Sequence, residues 1–225
     1  MKKRVLVVGA RPNSLGEAVA NVASRRGYQV VTAGISGEDV RLNLLSSVTE
    51  IEVLRGILQG IDPHHVVCTV GINQPEAHED ADVSWWMRAH FEANVIAPLR
   101  LLDAWMPVAS MGHYVAVSSN SARIPRTRSM AYCASKAALS MALRVRAREL
   151  GGAPVVYGYE PGLLLGTPMT EKTAAGFTGP LTRMKVPELA RGIVVDDLAE
   201  LMVQNLGHPG LALNGTLVPY DADEL

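Results

Sequence analysis

The sequence predicts an α/β fold: one doubly wound parallel sheet with helices on both faces, forming a single domain over residues 1–225. Three observations lead to this expectation. Short β-branched runs alternate with longer stretches of helical apolar spacing. Most of the short runs stop at glycine or Pro-Gly. Hydrophobic residues make up 48% of the chain and aromatic residues only 5%, as is typical of an aliphatic α/β core.

Six segments have the composition of strands. The first, Val5–Val8, ends at Gly9, and the second, Val30–Ala33, ends at Gly34. Both are short apolar runs without polar alternation, as expected of strands buried on both faces. The other strands are expected at His65–Val70, Tyr114–Val117, Val155–Tyr159 and Thr216–Val218.

The intervening stretches have apolar residues at helical spacing. They are Glu17–Arg26, Ser47–Gln59, Val83–Leu102 (with Pro98 inside it), Ala131–Leu150 and Leu189–Leu206. Ligands of such sheets bind beyond the carboxyl ends of the strands. We therefore expect one crevice, lined by the turns at Gly9, Gly34, Gly71, Ser118-Ser119 and Pro161.

Charge and composition exclude several classes of partner. The formal net charge is -1, so a bulk field for nucleic acid or an acidic membrane is absent. The histidines lack metal-ligand spacing, and we expect no metal site. Cys68 and Cys133 are interpreted as reduced thiols. No apolar run is long enough for a signal sequence or a membrane span, so a soluble cytoplasmic protein is expected.

The turn after the first strand suits a phosphate. Gly9 permits a tight turn, Gly16 lets the following helix approach the strand, and the helix N-terminus offers N–H groups to a pyrophosphate. The middle glycine of a dinucleotide fingerprint is missing, and Ser14 stands near its place. An ordinary strand–helix turn remains the alternative for this segment taken alone.

The end of the second strand bears on the choice of cofactor. It runs Thr32-Ala33-Gly34-Ile35-Ser36, without the carboxylate that binds a free ribose 2′-hydroxyl. Arg11 in the phosphate turn is placed to meet a 2′-phosphate. These features favour NADP(H) over NAD(H), although Glu38 or Asp39 could fold back towards the ribose.

Tyr132 and Lys136 are four residues apart in a helical stretch and share one face. A nearby ammonium favours the phenolate, so Lys136 is expected to lower the pKa of Tyr132 and make it a usable acid and base. Chance alone would give roughly 0.13 such pairs in this composition. Requiring also a serine 13 residues before the tyrosine, as Ser119 is, lowers the number of matches expected by chance to roughly one in a hundred.

With Ser119, Tyr132 and Lys136 in place, the chain resembles the short-chain dehydrogenase/reductase family over nearly its whole length, in its small single-domain form with a Rossmann fold. The resemblance implies that Tyr132 is the catalytic acid/base and that Lys136 lowers its pKa and holds the nicotinamide ribose. It also implies that Ser119 binds the substrate oxygen and that the backbone carbonyl of Asn94 holds a water. Pro98 lacks an N–H and cannot donate to that carbonyl in a helix, which offers a physical reason for this role.

The resemblance also implies a set of cofactor contacts. Pro161-Gly162 and Thr167 are similar to the family's loop over the nicotinamide, Asn43 stands where an Asp usually faces adenine, and Gly71 ends the family's Asn-Ala-Gly segment. Thr69-Val70-Gly71 departs from that segment. The expected cofactor-binding residues are Gly9, Arg11, Ser14, Leu15, Gly16, Ser36, Asn43, Leu44, Gly71, Tyr132, Lys136, Pro161, Gly162 and Thr167.

Residues 166–187 are expected to form a lid over the substrate, with a mobile surface loop as the equal alternative. The resemblance implies a homodimer or homotetramer acting on a small carbonyl or alcohol substrate. The leading hypothesis is an NADP(H)-dependent oxidoreductase that interconverts a ketone and a secondary alcohol. The alternatives are a catalytically weak NADP(H)-binding sensor or interaction module, and another reaction, such as epimerisation or dehydration, on the same scaffold.

Overall fold

The computed structural model describes residues 2–35, 39–45, 51–74, 82–108, 111–171, 192–208 and 211–221. Within these ranges the strands are β1 Arg4–Val8, β2 Gln29–Gly34, β3 Val40–Arg41, β4 His65–Cys68, β5 His113–Val117, β6 Val155–Pro161 and β7 Leu217–Tyr220. The helices are α1 Leu15–Arg25, α2 Ile51–Ile61, α3 Val83–Phe91, α4 Ala97–Trp105, α5 Met130–Leu150 and α6 Val195–Leu206. A π-helical turn, Glu92–Ile96, joins α3 to α4, and a 3-10 turn, Asn120–Ala122, follows β5.

The strands form one sheet in the order β3-β2-β1-β4-β5-β6-β7, and all neighbouring pairs are parallel. The chain moves outward from β1 to β3 and then resumes at β4 on the other side of β1. This reversal opens a crevice between the carboxyl ends of β1 and β4, where sheets of this kind bind ligands. The predicted fold class is confirmed.

Side chains alternate along each central strand, so an apolar strand presents hydrophobic residues to both faces of the sheet. Helices cover both faces. On β1, Leu6 and Val8 pack with α2, α4 and α5 on one face. Val5 and Val7 pack with α1 and α6 on the other. Strands buried on both faces explain why β1 and β4 have apolar runs without polar alternation.

The predicted elements are present with shifted ends, except that residues 46–50 and 189–191 lie outside the described residues. Val83–Leu102 is helical as predicted, but a π turn at Glu92–Ile96 divides it into α3 and α4. The added residue of a π turn leaves the apolar spacing close to helical, so periodicity does not reveal it. Strand β3 was not predicted, since two residues are too few to show a pattern.

Candidate active site at the carboxyl edge of the sheet

The turn after β1 packs tightly against the residue that follows β4. Gly9 has a φ of 93°, a left-handed conformation that suits glycine. A Cβ at Gly9 would lie 2.8 Å from Thr69 Oγ1, and one at Gly16 would lie 2.6 Å from the Gly9 carbonyl oxygen. Thr69 Oγ1 itself donates to the Val8 carbonyl at 3.0 Å. The threonine that departs from the family's Asn-Ala-Gly segment thus ties the end of β4 to the turn.

Ser14 is the N-cap of α1. Its hydroxyl accepts the N–H of Glu17 at 3.2 Å and donates to the Arg11 carbonyl at 2.6 Å. Leu15 and Gly16 follow in the first turn, where backbone N–H groups lack partners within the helix. These donors and the helix dipole suit an anion, so the turn fits the phosphates of a dinucleotide without the missing glycine.

Tyr132 and Lys136 are buried, at 8% and 3% exposure, on the N-terminal part of α5. Lys136 Nζ lies 5.8 Å from the centroid of the Tyr132 ring and donates to the Val117 carbonyl at 2.9 Å. Gly71 borders the pair, since a Cβ there would lie 3.3 Å from Nζ. The fold thus brings the Tyr–Lys pair to the ends of β4 and β5.

Burial dominates the protonation of both groups. It raises the pKa of Tyr132, and a hydrogen bond with the Ser119 side chain opposes that rise. Burial lowers the pKa of Lys136 to about 8. The phenolate loses hydration on burial, and Arg126 favours it, after Ser119 in effect. That Lys136 lowers the pKa of Tyr132 stays a prediction.

Ser119 lies two residues past the end of β5, in an extended conformation with φ −167° and ψ 155°. Its hydroxyl accepts the N–H of Ser121 at 3.1 Å, and its side chain lowers the pKa of Tyr132. The strand end and the helix start therefore converge on one hydroxyl and one phenol. Together they can hold an oxygen of a substrate and exchange its proton.

Asn94 lies within the π turn and is completely buried. Its side chain accepts the Ile72 N–H at 2.7 Å, donates to the Ile72 carbonyl at 3.0 Å, and donates to Ser135 Oγ at 2.9 Å. The amide thus joins the segment after β4 to α5 beside Tyr132. The water-holding role of the Asn94 backbone carbonyl stays a prediction.

Sequence reasoning assigned no role to His90, which is completely buried one turn before Asn94. The His90 ring centroid lies 6.4 Å from that of Tyr132. Its Nδ1 lies 2.9 Å from the Trp86 carbonyl, and its Nε2 accepts the Gln74 N–H at 3.3 Å. These contacts fix the tautomer, with the proton on Nδ1. The sequence offered one sign of this residue's place in the site, a histidine on the apolar face of a predicted helix.

The remaining predicted contacts lie around this centre. Asn43 is exposed and its side chain accepts the Leu45 N–H at 3.0 Å, whereas the side chain of Leu44 is buried in the core. Pro161 ends β6, and the Gly162 N–H bonds to the Tyr220 carbonyl at 2.9 Å. Thr167 is buried, and its hydroxyl accepts the Thr170 N–H at 3.2 Å. Ser36 lies outside the described residues.

Three further expectations concern metal ions, membrane spans and the cysteines. Among the residues that the structure describes, no group of three or more His, Cys, Asp or Glu side chains is arranged to hold a metal ion. None of the helices within those ranges is long and apolar enough to cross a membrane. Both thiols are free in the structure.

The family model described as short chain dehydrogenase matches residues 3–176. The chain therefore belongs to the short-chain dehydrogenase family, and it is an oxidoreductase of the dehydrogenase/reductase class. Among curated proteins, none matches the sequence.

Solved structures of this family share the fold at low sequence identity. Ligand-free aldohexose dehydrogenase from Thermoplasma acidophilum is 18% identical, with a TM-score of 0.83 over 98% of this chain and 93% of that chain. L-sorbose reductase from Gluconobacter frateurii, complexed with NADPH and L-sorbose, is 19% identical, with a TM-score of 0.81 over 98% and 95%. The 3-oxoacyl-[acyl-carrier protein] reductase from Brucella melitensis, in complex with NAD, is 17% identical, with a TM-score of 0.81 over 99% and 96%.

Proposed function

We propose that this protein transfers hydride between NADP(H) and a ketone or secondary alcohol, with Tyr132 as the acid and base. The observation that carries the proposal is the meeting of three side chains: Lys136 Nζ lies 5.8 Å from the centroid of the Tyr132 ring, and Ser119 is close enough to Tyr132 to lower its pKa. A hydroxyl and a phenol that meet in this way can bind the same substrate oxygen and move its proton.

Each group has a distinct part in the proposed reaction. The Ser119 hydroxyl holds the substrate oxygen, and Tyr132 donates a proton to it during reduction or removes one during oxidation. When bound, the cofactor supplies or accepts the hydride. The Lys136 ammonium has three donors, of which the Val117 carbonyl takes one. The others are available to the hydroxyls of the nicotinamide ribose, next to Gly71.

The residues present fit a dinucleotide. Gly9 and Gly16 leave space that a Cβ would fill, and the first turn of α1 offers N–H donors to phosphate. The adenosine end supports NADP(H): the Asp39 carboxylate bonds to the N–H and hydroxyl of Thr32 at 2.8 and 3.0 Å. A carboxylate engaged there is not offered to a ribose 2′-hydroxyl. Arg41 is exposed opposite Gly34, at the end of β2.

Three further expectations belong to this proposal. The chain forms one domain. Residues 166–187 cover the substrate, and residues 172–187 of this segment lie outside the described residues. The protein acts in the cytoplasm on a small carbonyl compound or alcohol. It forms a homodimer or homotetramer, and the support is an apolar stripe on α5, where Met141 and Val145 are four residues apart and 57% and 47% exposed.

The test is a panel of ketones and secondary alcohols with NADPH or NADP⁺, comparing the wild type with Tyr132→Phe. General acid–base catalysis contributes roughly 10²- to 10⁴-fold, so we expect kcat to fall by that factor while cofactor binding persists. Tyr28→Phe, at the opposite edge of the sheet, is the matched control and should leave kcat unchanged. Undiminished turnover by Tyr132→Phe would refute the mechanism. Cofactor binding without turnover of any compound by the wild type would favour the sensor alternative.

A further inference from the structure

A buried carboxylate lies behind the candidate catalytic residues. Glu160, near the end of β6, has a side chain only 2% exposed. An ionised carboxylate is costly to bury unless it is paired and hydrogen-bonded. Here Arg123 Nε donates to Oε2 at 2.6 Å, and Ser140 Oγ donates to Oε1 at 2.7 Å. Both carboxylate oxygens are therefore engaged.

Arg123 also reaches a second carboxylate. Its Nη2 lies 3.6 Å from Oδ2 of Asp221, the residue that follows β7. The other oxygen of Asp221 accepts Asn120 Nδ2 at 2.8 Å. A Cβ on Gly162 would lie 2.5 Å from Asp221 Oδ1, so glycine at that position leaves room for this carboxylate. We call the set Glu160, Arg123 and Asp221 the carboxylate bridge.

The other end of the bridge reaches α5. Ser140 Oγ, which bonds to Glu160, lies 2.8 Å from Ser118 Oγ. Because the Ser140 proton goes to Glu160, the single Ser118 proton is shared between Ser140 Oγ and the carbonyl of Lys136, which is 3.1 Å away. The Ser118 N–H bonds to the Tyr159 carbonyl on β6 at 2.8 Å. The residue immediately before Ser119 is therefore attached to the sheet and to the helix that carries Tyr132.

Ser119 thus lies between two anchored neighbours. Ser118 contacts Ser140, which bonds to Glu160, and Asn120 donates to Asp221. We propose that Glu160 and Asp221 are positioning residues, which act through Ser118 and Asn120 to hold the Ser119 hydroxyl against the Tyr132 phenol. The inference rests on the proposed function, because it concerns the geometry of those two catalytic groups.

A positioning role has a consequence that a purely structural role lacks. The Ser119 side chain lowers the pKa of Tyr132, so moving Ser119 away raises that pKa. Oxidation of an alcohol needs the phenolate, so the alkaline rise of kcat should move to higher pH. The other groups that face Tyr132 are His90, Cys133, Arg126 and Lys136, and none of them belongs to the bridge.

The first test compares Glu160→Gln and Asp221→Asn with the wild type in alcohol oxidation across pH. Each variant keeps the size of the side chain and removes its charge. Because each variant weakens a charge-assisted hydrogen bond that anchors a neighbour of Ser119, we expect kcat to fall by roughly 10- to 100-fold. The affinity for the cofactor should stay within about twofold. Glu149→Gln, which removes the exposed partner of Arg146 on α5, is the control and should match the wild type.

The second test is a double-mutant cycle. If Glu160 acts through Ser119, then Glu160→Gln should cause little further loss of kcat in a Ser119→Ala background. Full additivity of the two losses would overturn the inference. A lowered melting temperature with an unshifted pH profile and unchanged kcat would also overturn it. If Glu160→Gln does not fold, Asp221→Asn decides the question by the same measurements.

The two proposals fail in different ways. Retained turnover in Tyr132→Phe would refute the catalytic mechanism itself. Loss of turnover in Tyr132→Phe, together with wild-type behaviour of both bridge variants, would refute only the positioning role.

Discussion

The side-chain amide of Asn94 bonds to both polar groups of Ile72, accepting its N–H at 2.7 Å and donating to its carbonyl at 3.0 Å. This pairing resembles that of one strand residue with another. Backbone groups beyond Cys68, where β4 ends, are therefore still hydrogen-bonded as they would be in a strand, up to Ile72 beside the crevice. The second hydrogen atom of the amide goes to Ser135 on α5. The π turn around Asn94 is therefore a rigid junction between the sheet and the Tyr132 helix.

Asn94→Ala should destabilise the protein because it leaves Ile72 and Ser135 without their buried partners. The cost of each unsatisfied buried group is about 1–3 kcal/mol. We expect a total loss of several kcal/mol, measured as a lower midpoint in urea. In the control Gln59→Ala, at an exposed position on α2, the change should stay within about 0.5 kcal/mol. Equal midpoints for Asn94→Ala and the wild type would show that Asn94 does not hold this junction.

Arg11→Ala and Arg41→Ala should each weaken NADP⁺ binding more than NAD⁺ binding. A guanidinium gains a charge-assisted hydrogen bond from a 2′-phosphate and little from a ribose hydroxyl. We expect the Kd for NADP⁺ to rise by roughly tenfold and the Kd for NAD⁺ by less than twofold. Fluorescence titration provides the measurement, with Arg148→Ala at the exposed end of α5 as the control. A wild type that prefers NAD⁺ would contradict the assignment.

Acid should destabilise this protein through the buried histidines at the amino edge of the sheet. The pKa of His65 is lowered to about 2, mainly by burial and also by the nearby charges of His64, His113 and Lys3. The pKa of His113 is lowered to about 4, again mainly by burial. The unfolded chain binds protons below about pH 6.5, whereas the folded state does not. Stability is therefore fully present above pH 6.5 and falls as the pH drops, by about 1.4 kcal/mol per pH unit for each histidine. At pH 5 the loss should reach about 4 kcal/mol.

The control for this effect removes one titrating group. His113→Phe keeps an aromatic ring beside His65 and Tyr157, whose ring centroids lie 5.1 and 5.7 Å from that of His113. Between pH 6.5 and pH 5, the slope of unfolding free energy against pH should fall by about half. An unchanged slope in urea titrations would show that His113 is not one of the groups responsible.

The exposed apolar stripe of α5 should mediate self-association. We expect the wild type to sediment as a dimer or tetramer at micromolar concentration. Met141→Glu with Val145→Lys places charges on that stripe, and burying them at an interface is costly, so this variant should dissociate. The exposed pair Arg144→Glu and Arg148→Glu is a control for surface charge on the same helix. A wild type that is monomeric would rule out the proposed assembly.

The sequence by itself determined the fold class and the order of strands and helices. Central strands such as β1 are buried on both faces and have continuous apolar runs, whereas α1 is buried along one stripe and has apolar residues at helical spacing. Both patterns can be seen in the sequence. It also determined which residue types carry the candidate chemistry. Tyr132 and Lys136 share a face because they are one helical turn apart, which is a local property of the chain.

Only the tertiary structure decided the features that depend on distant segments. The pairing of Asn94 with Ile72 joins residues 22 positions apart, and the environment of Tyr132 comes from its burial beside Ser119. The contact of Glu160 with Arg123 joins residues 37 positions apart, so no local period of the sequence encodes it. Side chains that meet across a sheet leave no spacing rule in the sequence, because the fold, and not the chain interval, brings them together.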